Sequence, residues 1–149
     1  PMMYCTFKSI DKTLVPNVIA NDTLDSLTIT ALGTDSIILN NEKKVHKVML
    51  PLRYTSDSTI FILRYDPVRN WDNADTLYIV QQNTPYFQSM ECGYMMKQNI
   101  ISAKFGNKRN SAETIDSIYL RNKEANTNEI ENLQIFFIYR ERTPDEETN

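Results

Sequence analysis

Three glycines, one histidine and two cysteines are all that this chain of 149 residues offers of the residue types on which many active sites are built. With Gly33, Gly93 and Gly106 far apart, no run of backbone amides can close around a phosphate, which excludes Rossmann and Walker loops. The single histidine, His46, stands among lysines in Glu42-Lys43-Lys44-Val45-His46-Lys47 and reads as a solvated strand residue rather than the base of a Ser or Cys triad. Two distant cysteines and one histidine supply no ligand-pair spacing, so neither a metal site nor a cofactor is expected. No apolar run approaches the roughly eighteen residues that a bilayer span needs. A net charge of −3 gives no electrostatic reason to expect nucleic acid as a partner.

Helical periodicity is also scarce. What recurs instead is a short run of β-branched and aromatic residues bounded by Asn, Asp, Ser and Pro, which reads as strand after strand. Strands are expected near Cys5–Ser9, Leu27–Leu32, Ser36–Leu39, Val45–Leu52, Thr59–Tyr65, Thr76–Gln81, Tyr86–Met90, Ile100–Phe105, Ser117–Leu120 and Leu133–Tyr139. Leu27-Thr28-Ile29-Thr30-Ala31 alternates cleanly, as a half-solvated strand requires, whereas Ile60-Phe61-Ile62-Leu63 and Leu133-Gln134-Ile135-Phe136-Phe137-Ile138 are apolar on nearly both faces and should lie centrally. Asn122–Glu131 reads as a loop. The expectation is one all-β domain over residues 1–142, an antiparallel β-sandwich of immunoglobulin-like or similar type with a partly open barrel as the alternative, followed by a disordered acidic tail over 143–149.

Few residues stand out as chemistry. Carboxylates are plentiful, but nothing singles out an acid and base pair. The stretch Asp66-Pro67-Val68-Arg69-Asn70-Trp71-Asp72-Asn73-Ala74-Asp75 has oxygen ligands but lacks the glycine and terminal glutamate of an EF-hand, and reads as a solvated turn. Cys92, in Glu91-Cys92-Gly93-Tyr94, has one possible partner, Cys5; the two are either a structural disulfide or a pair of buried free thiols. Aspartate followed by Ser or Thr recurs at Asp22-Thr23, Asp25-Ser26, Asp35-Ser36, Asp57-Ser58, Asp75-Thr76 and Asp116-Ser117, usually where a strand begins, as turn chemistry favours. Trp71, Tyr86, Phe87 and Tyr94 are the aromatics that an exposed ligand platform would use, but strands also use aromatics for cores, and Trp71 reads more readily as cover for a core edge.

Met3-Tyr4-Cys5-Thr6, Val48-Met49-Leu50-Pro51-Leu52 with Asp57-Ser58-Thr59-Ile60-Phe61, Glu91-Cys92-Gly93-Tyr94, and Ile115-Asp116-Ser117-Ile118 with Glu131-Asn132-Leu133-Gln134-Ile135-Phe136 together resemble an uncharacterised family of small Bacteroides-type cell-envelope lipoproteins. The resemblance implies a domain of the periplasm or outer membrane, tethered by an N-terminal lipid that this chain does not carry; the start at Pro1-Met2-Met3-Tyr4 is consistent with a leader removed. It brings no catalytic residues. An oxidising envelope favours the Cys5–Cys92 disulfide, and O-glycosylation in such bacteria at Asp-Ser/Thr implies glycans on some of Thr23, Ser26, Ser36, Ser58, Thr76 and Ser117. The expected function is therefore a non-catalytic envelope domain, structural or ligand-binding, with a glycan or another envelope protein as partner. Its rivals are a carbohydrate- or peptide-binding accessory protein using the four aromatics and, less favoured, a carboxylate-based hydrolase.

Overall fold

The computed structural model describes residues 1–34, 36–107 and 115–141, and among them finds ten strands and no helix, so no described helix is long and apolar enough to cross a membrane. The expected acidic tail lies outside the described residues. In chain order the strands are β1 (Met3–Asp11), β2 (Val18–Asn21), β3 (Leu24–Ala31), β4 (Ser36–Val45), β5 (Lys47–Leu50), β6 (Ser58–Tyr65), β7 (Ala74–Ser89), β8 (Gly93–Asn107), β9 (Ile115–Leu120) and β10 (Glu131–Ile138). One sheet runs β2-β1-β10-β9, with β5 pairing the start of β1; the other runs β4-β3-β6-β7-β8. All pairings are antiparallel except that of β1 with β10, which brings the two ends of the domain side by side. The architecture is all-β and consistent with a β-sandwich, without a closed barrel.

The period-two pattern explains which face each strand buries. Met3, Cys5 and Phe7 of β1 and Leu133, Ile135 and Phe137 of β10 point inward, opposite Leu27 and Ile29 of β3, Phe61 and Leu63 of β6, and Leu77 and Ile79 of β7. Both doubly apolar segments are central as expected: β6 lies between β3 and β7, and β10 between β1 and β9. Phe137 joins the sheets through edge-on contacts, 5.9 Å from Phe7 in its own sheet and 5.8 Å from Tyr65 in the other. Such pairs contribute about 0.5–1.5 kcal/mol beyond their buried area.

Several of the recurrent aspartates do more than start strands. The buried carboxylate of Asp75 accepts hydrogen bonds from Tyr65 Oη at 2.7 Å and from the Ile115 N–H at 2.9 Å, so one side chain of β7 holds the first residue of β9 in the opposite sheet. Asp22 receives Arg140 Nη1 at 2.9 Å, and Asp116 receives Lys12 Nζ at 2.7 Å. These contacts span long stretches of sequence, which local turn chemistry did not anticipate.

Other departures have local causes. β2 was unexpected because all four of its residues are exposed and carry no burial alternation. The strands expected at 76–81 and 86–90 are a single β7, since Pro85 does not break it. The loop over 122–131 is irregular as expected, apart from two isolated bridges and Glu131 itself, which opens β10.

Replacing Asp75 with Ala should lower stability in urea by about 2–4 kcal/mol, because a buried hydroxyl and a buried amide both lose their acceptor. Glu131 supplies a pH test. Burial raises its pKa, but hydrogen bonds donated by Thr6 Oγ1, Arg121 and Gln134, with Lys8 nearby, outweigh burial and hold it below the usual carboxylate range. Its stabilisation is thus present above the ordinary glutamate pKa and is lost as pH falls through the depressed one. Glu131→Gln should flatten the acid limb of an unfolding curve taken from neutral pH downward.

Candidate functional site

β7 and β8 are far longer than their neighbours. The β6 ladder runs along β7 from Ala74 only as far as Val80, opposite Ser58, so beyond that point β7 and β8 continue as a two-stranded ribbon out to Ser89 and Gly93. A bulge between Val80 and Gln81 marks where the ribbon leaves the sheet. At the tip, a three-residue loop, Met90-Glu91-Cys92, is closed by Gly93 at φ +68°, a conformation open to glycine and strained for L side chains. Glycine is thus required by the turn.

The base of the ribbon is held by three side-chain amides, Gln81 and Gln98 buried and Asn83 half-buried. Gln81 Nε2 donates to the carbonyls of Arg53 and Ser56, both at 3.0 Å; Asn83 Nδ2 donates to the Ser56 carbonyl at 2.7 Å; Gln98 Nε2 donates to the Arg53 carbonyl at 3.1 Å and to Asn83 Oδ1 at 3.0 Å. Thr59 completes the network, donating to Gln81 Oε1 at 3.2 Å and accepting from the Arg53 N–H at 3.0 Å. Segment 51–57 belongs to no strand, so its inward carbonyls need these donors.

Beside the ribbon runs a second wall, residues 123–128. Asn132, fully buried, donates to the carbonyls of Asn122 and Glu124 at 2.8 Å each and accepts from the Tyr4 N–H at 2.9 Å. Asn126 Oδ1 accepts from the Asn128 and Ile130 N–H groups, both at 3.0 Å, while its backbone exchanges bonds of 2.9 and 3.0 Å with Met2. The Lys123 carbonyl accepts from the Ile100 N–H at 2.7 Å, and the Ala125 N–H donates to the Gln98 carbonyl at 2.9 Å. This strap therefore ties the edge of one sheet to the first residues of the other.

Between ribbon and strap lies an open cleft of about 700 Å³. Tyr86 and Met95 present ring and thioether to it, and Thr84, Gln88, Thr127 and Asn128 line it with hydroxyls and amides whose side chains hold no hydrogen bond among the described residues. Lys97 and Glu124 face each other across one end at 3.9 Å, an exposed pair worth little energetically.

Of the four aromatics singled out in the sequence, only Tyr86 lines this cleft. Phe87 and Tyr94 pair across the ribbon, edge to face at 5.6 Å, on the face opposite Tyr86 and its partner Met95. Trp71 lies in the turn at the far end of β7, beneath the Arg64 guanidinium at 4.2 Å from the ring centre. His46 is exposed, with its carbonyl accepting from the Phe7 N–H at 3.0 Å. Among the glycosylation candidates Ser26 is buried, its hydroxyl donating to Asn41, which leaves no room for a glycan there. Ser36 is exposed, and Thr23, Ser58, Thr76 and Ser117 are half-buried. The polar side chains that shape the cleft, Gln81, Asn83, Gln98, Asn126 and Asn132, were not anticipated. The available signal was the polar Gln81 and Asn83 continuing the inward positions of Leu77 and Ile79.

The expected Cys5–Cys92 disulfide is corrected: both cysteines are free. Cys5 points into the sandwich core from β1, where burial pushes its pKa well up, while Cys92 is exposed in the turn at the ribbon tip, its N–H donated to Ser89 Oγ at 2.9 Å. With Cys5 turned into the core and Cys92 exposed at the ribbon tip, a bridge between them would require the backbone to move.

The model of the family of unknown function DUF6452 matches residues 26–137. The chain belongs to this family. The matched span runs from β3 into β10 and so includes the whole ribbon and strap of this DUF6452 member. No curated protein and no solved structure matches the chain. For the thiols, alkylation of the native protein should label Cys92 alone, with Cys5 reacting only on unfolding, and mass spectrometry without reductant should find both sulfurs labelled in denaturant.

Proposed function

We propose that this DUF6452 member is a non-catalytic domain of the bacterial cell envelope, lipid-tethered in its natural form, that holds an extended, largely uncharged segment of another molecule in the cleft between ribbon and strap. The envelope setting rests on the lipoprotein resemblance of the sequence. The binding role rests on one observation: an aromatic ring flanked by amides and hydroxyls that have no internal partner, in a cleft whose walls are already held by hydrogen bonds. Polar groups left open on rigid walls lose little entropy when a ligand satisfies them. A non-catalytic reading is supported by the carboxylates: Glu124 is the cleft's acid, Lys97 stands beside it, and no second carboxylate among the described residues lines the cleft opposite it.

Immobilised protein exposed to glycan arrays and to displayed random peptides should retain binders whose affinity falls about tenfold or more with Tyr86→Ala and severalfold with Gln88→Ala. Binders indifferent to both substitutions, or none at all, would sink the proposal.

A further inference from the structure

The direction of the backbone polar groups along β8 narrows the ligand. Residues of an antiparallel strand alternate between those that exchange hydrogen bonds with one neighbour and those whose N–H and C=O point to the other side. The Ile100 N–H and the Gln98 carbonyl point away from β7, because they bond to Lys123 and Ala125 of the strap. The register below the bulge is regular, with Asn99 opposite Gln82, Lys97 opposite Thr84, Met96 opposite Pro85 and Tyr94 opposite Phe87. Met96 and Tyr94 therefore also turn their N–H and C=O away from β7. Pro85, which has no N–H to give, sits opposite Met96 where β7 and β8 exchange no bonds, as this alternation requires.

The strap stops pairing at Ala125. Beyond it, residues 126–128 bend away, and no described backbone group bonds Met96 or Tyr94 on that side. The result is a length of sheet edge with open donors and acceptors, facing the cleft at Met96, directly in line with a segment that the same edge already pairs with through an antiparallel bridge at Asn99 and Glu124.

We propose that the cleft takes an extended peptide by strand addition: a segment of another protein pairs with β8 over 94–97 and prolongs the line of the strap. This deepens the binding role proposed above and rests on it. Main-chain bonds supply sequence-independent attachment, and alternate side chains of the peptide meet the thioether of Met96 on one face and Tyr86 with Met95 on the other. A glycan has no matching ladder of donors and acceptors to offer this edge.

Amide hydrogen exchange on the free protein tests the edge without any ligand. Tyr94 and Met96 should exchange rapidly while Met95 and Lys97, bonded to β7, are protected; protection of Met96 in the free protein would overturn the proposal. With peptides selected from a displayed random library, binding should protect Tyr94 and Met96. Met96→Pro should weaken those peptides about tenfold or more, and far more than Met96→Leu, which alters the side chain but keeps the N–H. Persisting protection at Met95 and Lys97 in Met96→Pro would show that the ribbon is intact. If the binders are glycans, or peptides that Met96→Pro leaves unaffected but Tyr86→Ala weakens, strand addition fails while the cleft remains the binding site. Insensitivity to Tyr86→Ala as well would dismiss both.

Discussion

The inward carbonyls of Leu52, Arg53 and Ser56 are the constraint around which the ribbon end of this domain is arranged. They leave the regular ladder at the point where β6 has not yet begun, on residues buried (Leu52) or half-buried (Arg53 and Ser56) and without a strand partner. Gln81, Asn83 and Gln98 reach them from two adjacent strands. Each such bond contributes only about 1 kcal/mol net, but an unmet buried carbonyl costs about 1–3 kcal/mol, so the network is maintained more by what its absence would cost. It is not perfectly closed: Gln98 Oε1 has no partner while its Nε2 serves several carbonyls. The mechanical consequence is that a two-stranded ribbon, marginal by itself in water, leaves the sandwich from a fixed base.

A second set of side chains does the same for the opposite wall. Asn132 and Asn126 give the strap a backbone geometry that no ladder imposes, and the strap in turn covers part of the β8 edge. Covered edges are safe and open edges are sticky. Here the cover ends part-way along, next to a cleft, leaving the exposed length of edge beside Tyr86 and Met95. The domain thereby combines walls fixed by internal hydrogen bonds with surfaces whose own hydrogen-bonding capacity is unspent.

Cys92-Gly93 shows how a conspicuous dipeptide can mislead. The glycine is needed by the positive φ of the turn, and the cysteine beside it is carried to an exposed tip. Cys5 is a small apolar residue in a strand that needs one. Similarly, the repeated Asp-Ser/Thr pairs look alike in sequence but separate in space: Asp75 is buried between the sheets, Asp22 holds Arg140, Asp116 holds Lys12, and Ser26 is buried beside Asn41 of the neighbouring β4.

The strand content, the central positions of β6 and β10, and the loop before β10 were legible in the sequence, because they follow from alternation and from runs apolar on both faces, properties of a few neighbouring residues. Gln82-Asn83-Thr84-Pro85 looked like a break because polarity and proline usually end a strand. Only the register with Met96 reveals that Pro85 occupies a place where no N–H is needed. The aromatics were legible only as what an exposed platform would use, with Trp71 reading more readily as cover for a core edge; their exposure, and their division into Tyr86 in the cleft, Phe87 with Tyr94 behind it and Trp71 at the far end, depend on which strand faces which. The chain by itself determined an all-β domain with a conventional core, since local pattern suffices for that. Tertiary structure decided which polar groups are satisfied and which are left open, because that depends on partners many residues away, and the candidate site consists of the groups left open.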